Sequence, residues 1–99
     1  DDAEAKFIPL YLHKKILKEN PFETIDPAVL ELVHMAVDKG RAVNPAMHFG
    51  VCGEHGGDPK SIKRLFNVAG VDYVSCSPYR VPLARLAAAQ AKLESLKTA

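Results

Sequence analysis

The chain has little of what several classes of protein require. Among its 99 residues are only two cysteines, Cys52 and Cys76. Two thiols are too few to cross-link a small secreted fold, so the composition favours free thiols in a reducing compartment. Apolar runs are short, as at 86–89, and none approaches the roughly 20 residues that a membrane helix needs. We therefore expect no membrane partner, and the acidic start at 1–4 predicts no secretory leader.

An excess of charge of one sign is also missing. Thirteen Lys and Arg residues face twelve Asp and Glu residues, which leaves a formal net charge of +1. So small a charge gives no reason to expect a nucleic-acid partner. What is present, 47% hydrophobic and 25% charged residues, predicts one globular unit with a modest core.

Helix signals occupy the first half of the chain. Apolar spacing predicts a helix over 7–18, with Pro9 in its first turn. A second helix is predicted from Asp26 as N-cap and Pro27 at the first helical position, and Gly40 is expected to end it. Its predicted buried face consists of Leu30, Val33 and Val37.

Two short apolar runs in the second half predict strands, over 47–52 and about 71–75. Between them, Asp58 and Pro59 repeat the cap-and-proline signal and predict a helix that Gly70 ends. A last helix is predicted over about 82–97. Its predicted apolar stripe consists of Leu83, Leu86, Leu93 and Leu96, with Ala87 and Ala88 allowing close packing.

The predicted order is helix, helix, strand, helix, strand, helix. Two strands joined through a helix form a βαβ unit, which implies parallel strands and a right-handed crossover. A lone parallel pair is marginal in water, because parallel sheets normally have several strands covered by helices. The pattern therefore predicts the last two units of a longer α/β fold.

Cys52 stands at the predicted C-terminal end of the first strand, ahead of the glycine-rich loop 53–57. Active sites of parallel α/β proteins lie at such strand ends, so a working thiol and a small buried hydrophobe are equally good interpretations. The Cys52 and His55 pair is one ligand pair where structural zinc needs two, and no third group is evident to orient a nucleophile. A disulfide between Cys52 and Cys76 is geometrically open but disfavoured by a reducing compartment.

Two further features each allow a functional and a structural interpretation. The glycine loop ahead of a helix resembles an anion cradle, but it lacks both glycine-rich phosphate motifs, and Asp58 competes for the same amides. Arg80 and Arg85, near Tyr79, either bind an anionic substrate or pair with neighbouring carboxylates.

Two motifs carry a resemblance to a known family. VCGEHGGDP at 51–59 and DYVSCSPYRVPLARLAAAQ at 72–90 closely resemble the C-terminal end of the dikinase branch of the phosphoenolpyruvate-utilising enzymes. The CGE element is shared across that family, and the other residues of the two motifs narrow the resemblance to the dikinase branch. The resemblance implies that residues 1–99 are the C-terminal strand-helix units, with parallel strands, of a (β/α)8 TIM-type barrel that binds phosphoenolpyruvate or pyruvate.

The resemblance also implies an activity and a role for one residue. Members interconvert ATP, phosphate and pyruvate with AMP, diphosphate and phosphoenolpyruvate, using Mg²⁺ and a phosphohistidine on a separate domain. Their thiol acid lies in the CGE motif, which corresponds to Cys52, while Cys76 is expected to pack near the site. Chemistry agrees, because an unperturbed thiol with a pKa near ~8.5 is still protonated at neutral pH and can protonate an enolate carbon.

Several functional groups of the family have no match in this chain. No motif here matches the family's Mg²⁺ ligands, substrate-gripping arginines or phosphohistidine, which are expected upstream. Since a barrel takes about 250 residues, this chain is expected to be inactive alone. A homo-oligomeric enzyme is implied, in the cytoplasm or an organelle such as a plastid or glycosome. The alternative is a non-catalytic interaction or dimerisation module that uses the same apolar faces.

Overall fold

A computed structural model of the chain describes residues 2–98. Most of them are helical, and the second half of the chain contains one small sheet of two parallel strands. None of the described helices combines the length and apolarity needed to span a membrane. In chain order the elements are α1 (Asp2–Lys6), α2 (Ile8–His13), α3 (Pro27–Val43), β1 (Gly50–Val51), α4 (Pro59–Arg64), β2 (Tyr73–Val74) and α5 (Val81–Thr98).

The N-terminal helix is shorter than predicted. Pro9 does lie in the first turn of α2, but the helix ends at His13 rather than near residue 18. Lys15 adopts a left-handed backbone with φ 61°, and the N–H groups of Ile16 and Leu17 both donate to the carbonyl of Tyr11. The chain turns here, and Lys14, Lys15 and Lys18, which fall within the predicted helix, lie beyond its end.

α3 begins as predicted and ends later. The Asp26 carboxylate accepts a hydrogen bond of 2.8 Å from the N–H of Ala28, and Pro27 is the first helical residue. Leu30 and Val37 are buried, but the helix continues through Gly40 to Val43. Gly40 does not end the helix. A Cβ there would lie 2.4 Å from Cζ of Phe49, so the glycine allows the Phe49 ring to pack closely against α3.

The two strands are parallel, as predicted, and each is only two residues long. Gly50 pairs with Tyr73 and Val51 with Val74. Val51 and Phe49 pack against the buried cluster while Gly50 is exposed, so the predicted alternation of faces is correct. Within the described residues the sheet contains these two strands.

The helix between the strands has the predicted ends. Asp58 caps α4, which continues as a π-helical turn over Leu65–Ala69. Gly70 then takes the left-handed conformation with φ 79°, and the N–H of Val71 donates to the carbonyl of Leu65 over 3.1 Å. This C-terminal capping pattern turns the chain into β2.

The position of α5 is as predicted, but its buried face is not. The predicted leucine stripe is 46–60% exposed. Small residues face α4 instead, because they let the two helices approach closely; they are Ala84, Ala87 and Ala91. Leucines lie on the opposite side, so α5 is apolar on both faces.

Two buried clusters meet at the sheet. The larger joins α3, the π-helical turn and Val71; its buried members are Ile25, Leu30, Val37, Leu65, Ala69 and Val71. The smaller joins α4 and α5 through Ile62, Ala84 and Ala87. Phe66 and Val74 pack against both clusters, so β2 is held from the two sides.

Candidate active site at the strand ends

Both cysteines lie at one edge of the sheet. Because the strands are parallel, their C-terminal ends share an edge. Cys52 directly follows β1 and is exposed, whereas Cys76 lies two residues after β2 and is half-buried. The predicted placement of Cys52 at a strand end is therefore correct, and its thiol is open to solvent.

Gly53 sets the direction of the chain after the thiol. Its backbone has φ 96° and ψ −166°, a region that only glycine occupies without strain. Nothing lies within 4 Å of where a Cβ would be, so the requirement is conformational rather than steric. A tight 3₁₀ turn, Glu54–Gly57, follows at once, closed by a 3.1 Å hydrogen bond from the N–H of Gly56 to the carbonyl of Gly53.

This Glu54–Gly57 turn rests directly on the segment that follows β2. A Cβ on Gly56 would lie 2.2 Å from the carbonyl oxygen of Ser75, and one on Gly57 would lie 2.5 Å from Cδ of Arg80. Both glycines are buried. The two strand-end loops are therefore packed backbone against backbone, at a distance that no other residue permits.

A charged pair closes the same contact. Arg80 Nη1 lies 3.5 Å from Glu54 Oε2. Of the two interpretations left open for Arg80, pairing with a carboxylate is the one that the geometry favours. Sequence reasoning did not find this partner, since no local pattern links the two positions; the adjacent glycines at 56 and 57 were the only signal of a close approach.

A small cleft of about 160 Å³ opens between the two loops. Cys76 lines this cleft, whereas Cys52 does not. The complete lining is Gly53, Glu54, Ser75, Cys76, Ser77 and Arg80. The cleft is too small for a nucleotide, and the exposed Cys52 thiol lies outside its walls.

A much wider groove of about 1100 Å³ runs between α1 and the start of α4. Its walls carry four carboxylates, Glu4, Glu23, Glu54 and Asp58, against Lys60 and Arg80. Carboxylates repel an anionic substrate, so we place no site for a small organic acid in this groove.

His55 is engaged in structure. Its Nε2 lies 2.7 Å from the carbonyl oxygen of Pro21, and because a carbonyl only accepts, this nitrogen donates the hydrogen bond. His55 thus ties the turn to the segment before α3 and does not complete a pair with Cys52. In the part of the chain that the structure describes, no group of three His, Cys, Asp or Glu side chains could hold a metal ion.

Asp58 blocks the helix terminus that an anion would need. Its Oδ2 accepts hydrogen bonds from the N–H of Ser61 at 2.9 Å and from the Ser61 hydroxyl at 2.7 Å. The same hydroxyl oxygen accepts from the N–H of Ile25 at 2.8 Å. A fully buried serine therefore joins the cap of α4 to the segment before α3, and the α4 terminus is already occupied.

At the opposite edge of the sheet, Asp72 joins both strands to α3. Its Oδ2 accepts from the N–H of Phe49 and from Nη2 of Arg41, each at 2.8 Å. The hydrogen bond from the N–H of Phe49 has the largest effect and lowers the pKa of Asp72 below its usual value. Burial opposes this effect, while the hydrogen bond and charge of Arg41 and the charge of His48 lower the pKa further. Asp72 therefore stabilises the starts of the strands and leaves their ends free for chemistry.

Parallel strands with an exposed thiol and a glycine-rich loop at their C-terminal ends are an arrangement at which α/β domains commonly bind their ligands. Comparison with protein families agrees: residues 12–93 match the family of the PEP-utilising enzymes, in its PEP-binding domain. The chain belongs to this family.

Individual relatives are pyruvate, phosphate dikinases. The chain is 58% identical over 90 residues to the chloroplastic pyruvate, phosphate dikinase 1 of Arabidopsis thaliana, covering 90% of this chain and 9% of that protein. It is 53% identical over 94 residues to the enzyme of Entamoeba histolytica, covering 94% of this chain and 10% of that protein. The chain therefore spans about a tenth of the length of these relatives.

Proposed function

We propose that this chain is the C-terminal part of a pyruvate, phosphate dikinase and that Cys52 is its proton donor. The observation that carries the proposal is the exposed thiol directly after β1, next to a glycine in a glycine-only conformation. The high identity to dikinases over nine-tenths of the chain supports the same role.

The thiol has one chemical task. When the phosphoryl group leaves phosphoenolpyruvate, the remaining enolate needs a proton on its methylene carbon to become pyruvate. Cys52 gives that carbon its Sγ proton and becomes a thiolate; in the reverse direction the thiolate removes a methyl proton. General acid catalysis of this kind contributes about 10²- to 10⁴-fold to a rate.

The rest of the active site belongs to other parts of the enzyme. We propose that residues 1–99 supply two strand-helix units of a (β/α)8 barrel, whose remaining strands lie upstream. The family implies Mg²⁺, but the described residues do not fit a Mg²⁺ site, since they bring no three acidic or metal-binding side chains together. ATP and the phosphohistidine are likewise assigned to upstream domains, and the substrates are pyruvate and phosphoenolpyruvate. Chloroplastic relatives and the two free thiols support an intracellular compartment.

The test uses the full-length enzyme in which this chain occurs. Cys52→Ser should abolish exchange of the pyruvate methyl hydrogens with deuterium from solvent, followed by NMR, because a serine hydroxyl is far too weak an acid. Phosphorylation of the histidine by ATP should continue, since that step needs no proton on carbon. Cys76→Ser is the matched control and should change exchange much less.

One result would overturn the proposal. If Cys52→Ser retains methyl exchange, the proton donor lies elsewhere. Loss of histidine phosphorylation in the same variant would assign the thiol to the nucleotide half-reaction or to the fold.

A second candidate function, an association module without catalysis, is favoured by one observation. The four leucines of α5, Leu83, Leu86, Leu93 and Leu96, are all 46–60% exposed, and an apolar face of that kind is typical of an interface. Size-exclusion chromatography of the isolated chain discriminates: a stable oligomer favours this candidate. A homo-oligomeric full-length enzyme is compatible with both.

A further inference from the structure

The loop after Cys52 is held by one side chain at two places. The aliphatic part of Arg80 lies against Gly57, where a Cβ would meet its Cδ at 2.5 Å. Its guanidinium lies 3.5 Å from Glu54 Oε2. Glu54 and Gly57 are the first and last residues of the Glu54–Gly57 turn, so Arg80 contacts both ends of it.

Arg80 connects the chain that follows β2 to the turn that follows Cys52. It ends the short 3₁₀ helix Pro78–Arg80, and its N–H donates to the carbonyl of Ser77 at 2.9 Å. The backbone of this segment is joined to β1 through the 2.9 Å hydrogen bond from the N–H of Ser75 to the carbonyl of Val51. Val51 is the residue before Cys52, so the thiol lies between two contacts made by a single segment.

We propose that Arg80, paired with Glu54, is a positioning residue for Cys52, setting the direction of the thiol by fixing the turn that follows it. The inference rests on the proposed function of Cys52 and assigns the pair no contact with substrate. Side chains of Arg80 and Glu54 are 35% and 67% exposed. An ion pair this exposed adds little to stability, so the inference is tested by the rate of proton exchange rather than by unfolding.

The expected effect is on turnover. A proton donor displaced by about 1 Å loses up to roughly a hundredfold in rate while substrate binding is retained. In the full-length enzyme, Arg80→Met should lower the rate of pyruvate methyl exchange by about tenfold to a hundredfold, with KM for pyruvate changed less than about twofold. Arg80→Lys keeps the charge and most of the stem and should recover part of that loss.

A double-mutant cycle tests the pairing. Glu54→Gln removes the charge from the other partner and should also lower the exchange rate, and Glu54→Gln with Arg80→Met should be no slower than Arg80→Met alone. Lys63→Met is the matched control. It breaks the Lys63 Nζ to Glu94 Oε1 pair of 3.0 Å between α4 and α5, whose side chains are 33% and 54% exposed. Its exchange rate should equal that of the wild type.

Three results overturn the inference: an Arg80→Met rate within twofold of wild type, a loss expressed in KM alone, or an equal loss in Lys63→Met. If Arg80→Met does not fold, Glu54→Gln decides alone, and a wild-type rate there overturns the inference. Cys52→Ser separates this failure from that of the proposed function. Exchange surviving in Cys52→Ser refutes the thiol role, whereas exchange lost there and unchanged in Arg80→Met refutes only the positioning role.

Discussion

Cys52 and Cys76 follow the two strands of neighbouring strand-loop-helix units, yet their surroundings differ. Because Val51 pairs with Val74, Cys52 lies opposite Ser75, and Cys76 is one residue farther along. Cys52 is exposed and is followed by Gly53 with φ 96°. Cys76 packs against the Ile62 and Ala84 cluster and is followed by Ser77 and Pro78, which start a helical turn immediately. The same order of elements thus leaves one cysteine exposed and the other half-buried against the core.

Register and loop both contribute to this difference, because successive side chains of a strand alternate in direction and Cys76 lies one residue beyond the position opposite Cys52. The first unit inserts a glycine-rich turn between strand and helix, and this turn bends over the end of the second unit. The second unit has no glycine-rich turn. Its cysteine packs instead against the cluster between α4 and α5.

Gly56→Ala is the strongest way to break this arrangement. The new Cβ would lie 2.2 Å from the Ser75 carbonyl oxygen, a backbone atom that cannot swing aside. We expect the free energy of unfolding, measured by urea denaturation, to fall by about 1 to 3 kcal/mol. Gly50→Ala is the matched control, because its Cβ meets the ring of Tyr73, which is exposed and can rotate. An equal loss in Gly50→Ala would show that the two loops are not held at Gly56.

Local signals in the sequence predicted the starts of two helices and the end of one. Asp26 with Pro27 and Asp58 with Pro59 each start a helix where expected, because a cap depends only on residues within one turn. Gly70 ends its helix for the same reason. The position of Cys52 at the C-terminal end of a strand was also predicted, from the apolar run that precedes it, whereas its exposure was left open.

Contacts between residues far apart in the sequence were not predictable from local signals. Leu86 and Ala87 are both apolar, and the spacing between α4 and α5 decides which of them is buried. Gly40 was expected to end α3 but instead gives room to the ring of Phe49, a tertiary contact. The pairing of Arg80 with Glu54 likewise depends on the approach of two loops that no local pattern encodes.

Thiol labelling sharpens the comparison between the two cysteines. We expect iodoacetamide to modify Cys52 roughly tenfold faster than Cys76 in the folded chain, since modification follows exposure. Single-thiol variants Cys76→Ser and Cys52→Ser separate the two rates, which mass spectrometry measures. In concentrated urea the rates should converge. Equal rates in the folded chain would mean that Cys76 is as open as Cys52 and that the loops do not distinguish them.

The smallest expected effect on stability is at the other edge of the sheet, where the Asp72 side chain joins the starts of both strands. Because the folded-state pKa of Asp72 lies below its ordinary value of 3.8, its stabilisation is present above that value and lost as pH falls through the folded pKa. Asp72→Asn should therefore unfold more readily than wild type near pH 7, and the difference in unfolding midpoint should shrink below about pH 5 and vanish in strong acid. Arg41→Met should retain part of this pH dependence, because the hydrogen bond from the N–H of Phe49 is the largest single cause of the lowered pKa. If Arg41→Met removed as much as Asp72→Asn, the edge would be held by charge and not by the backbone of β1.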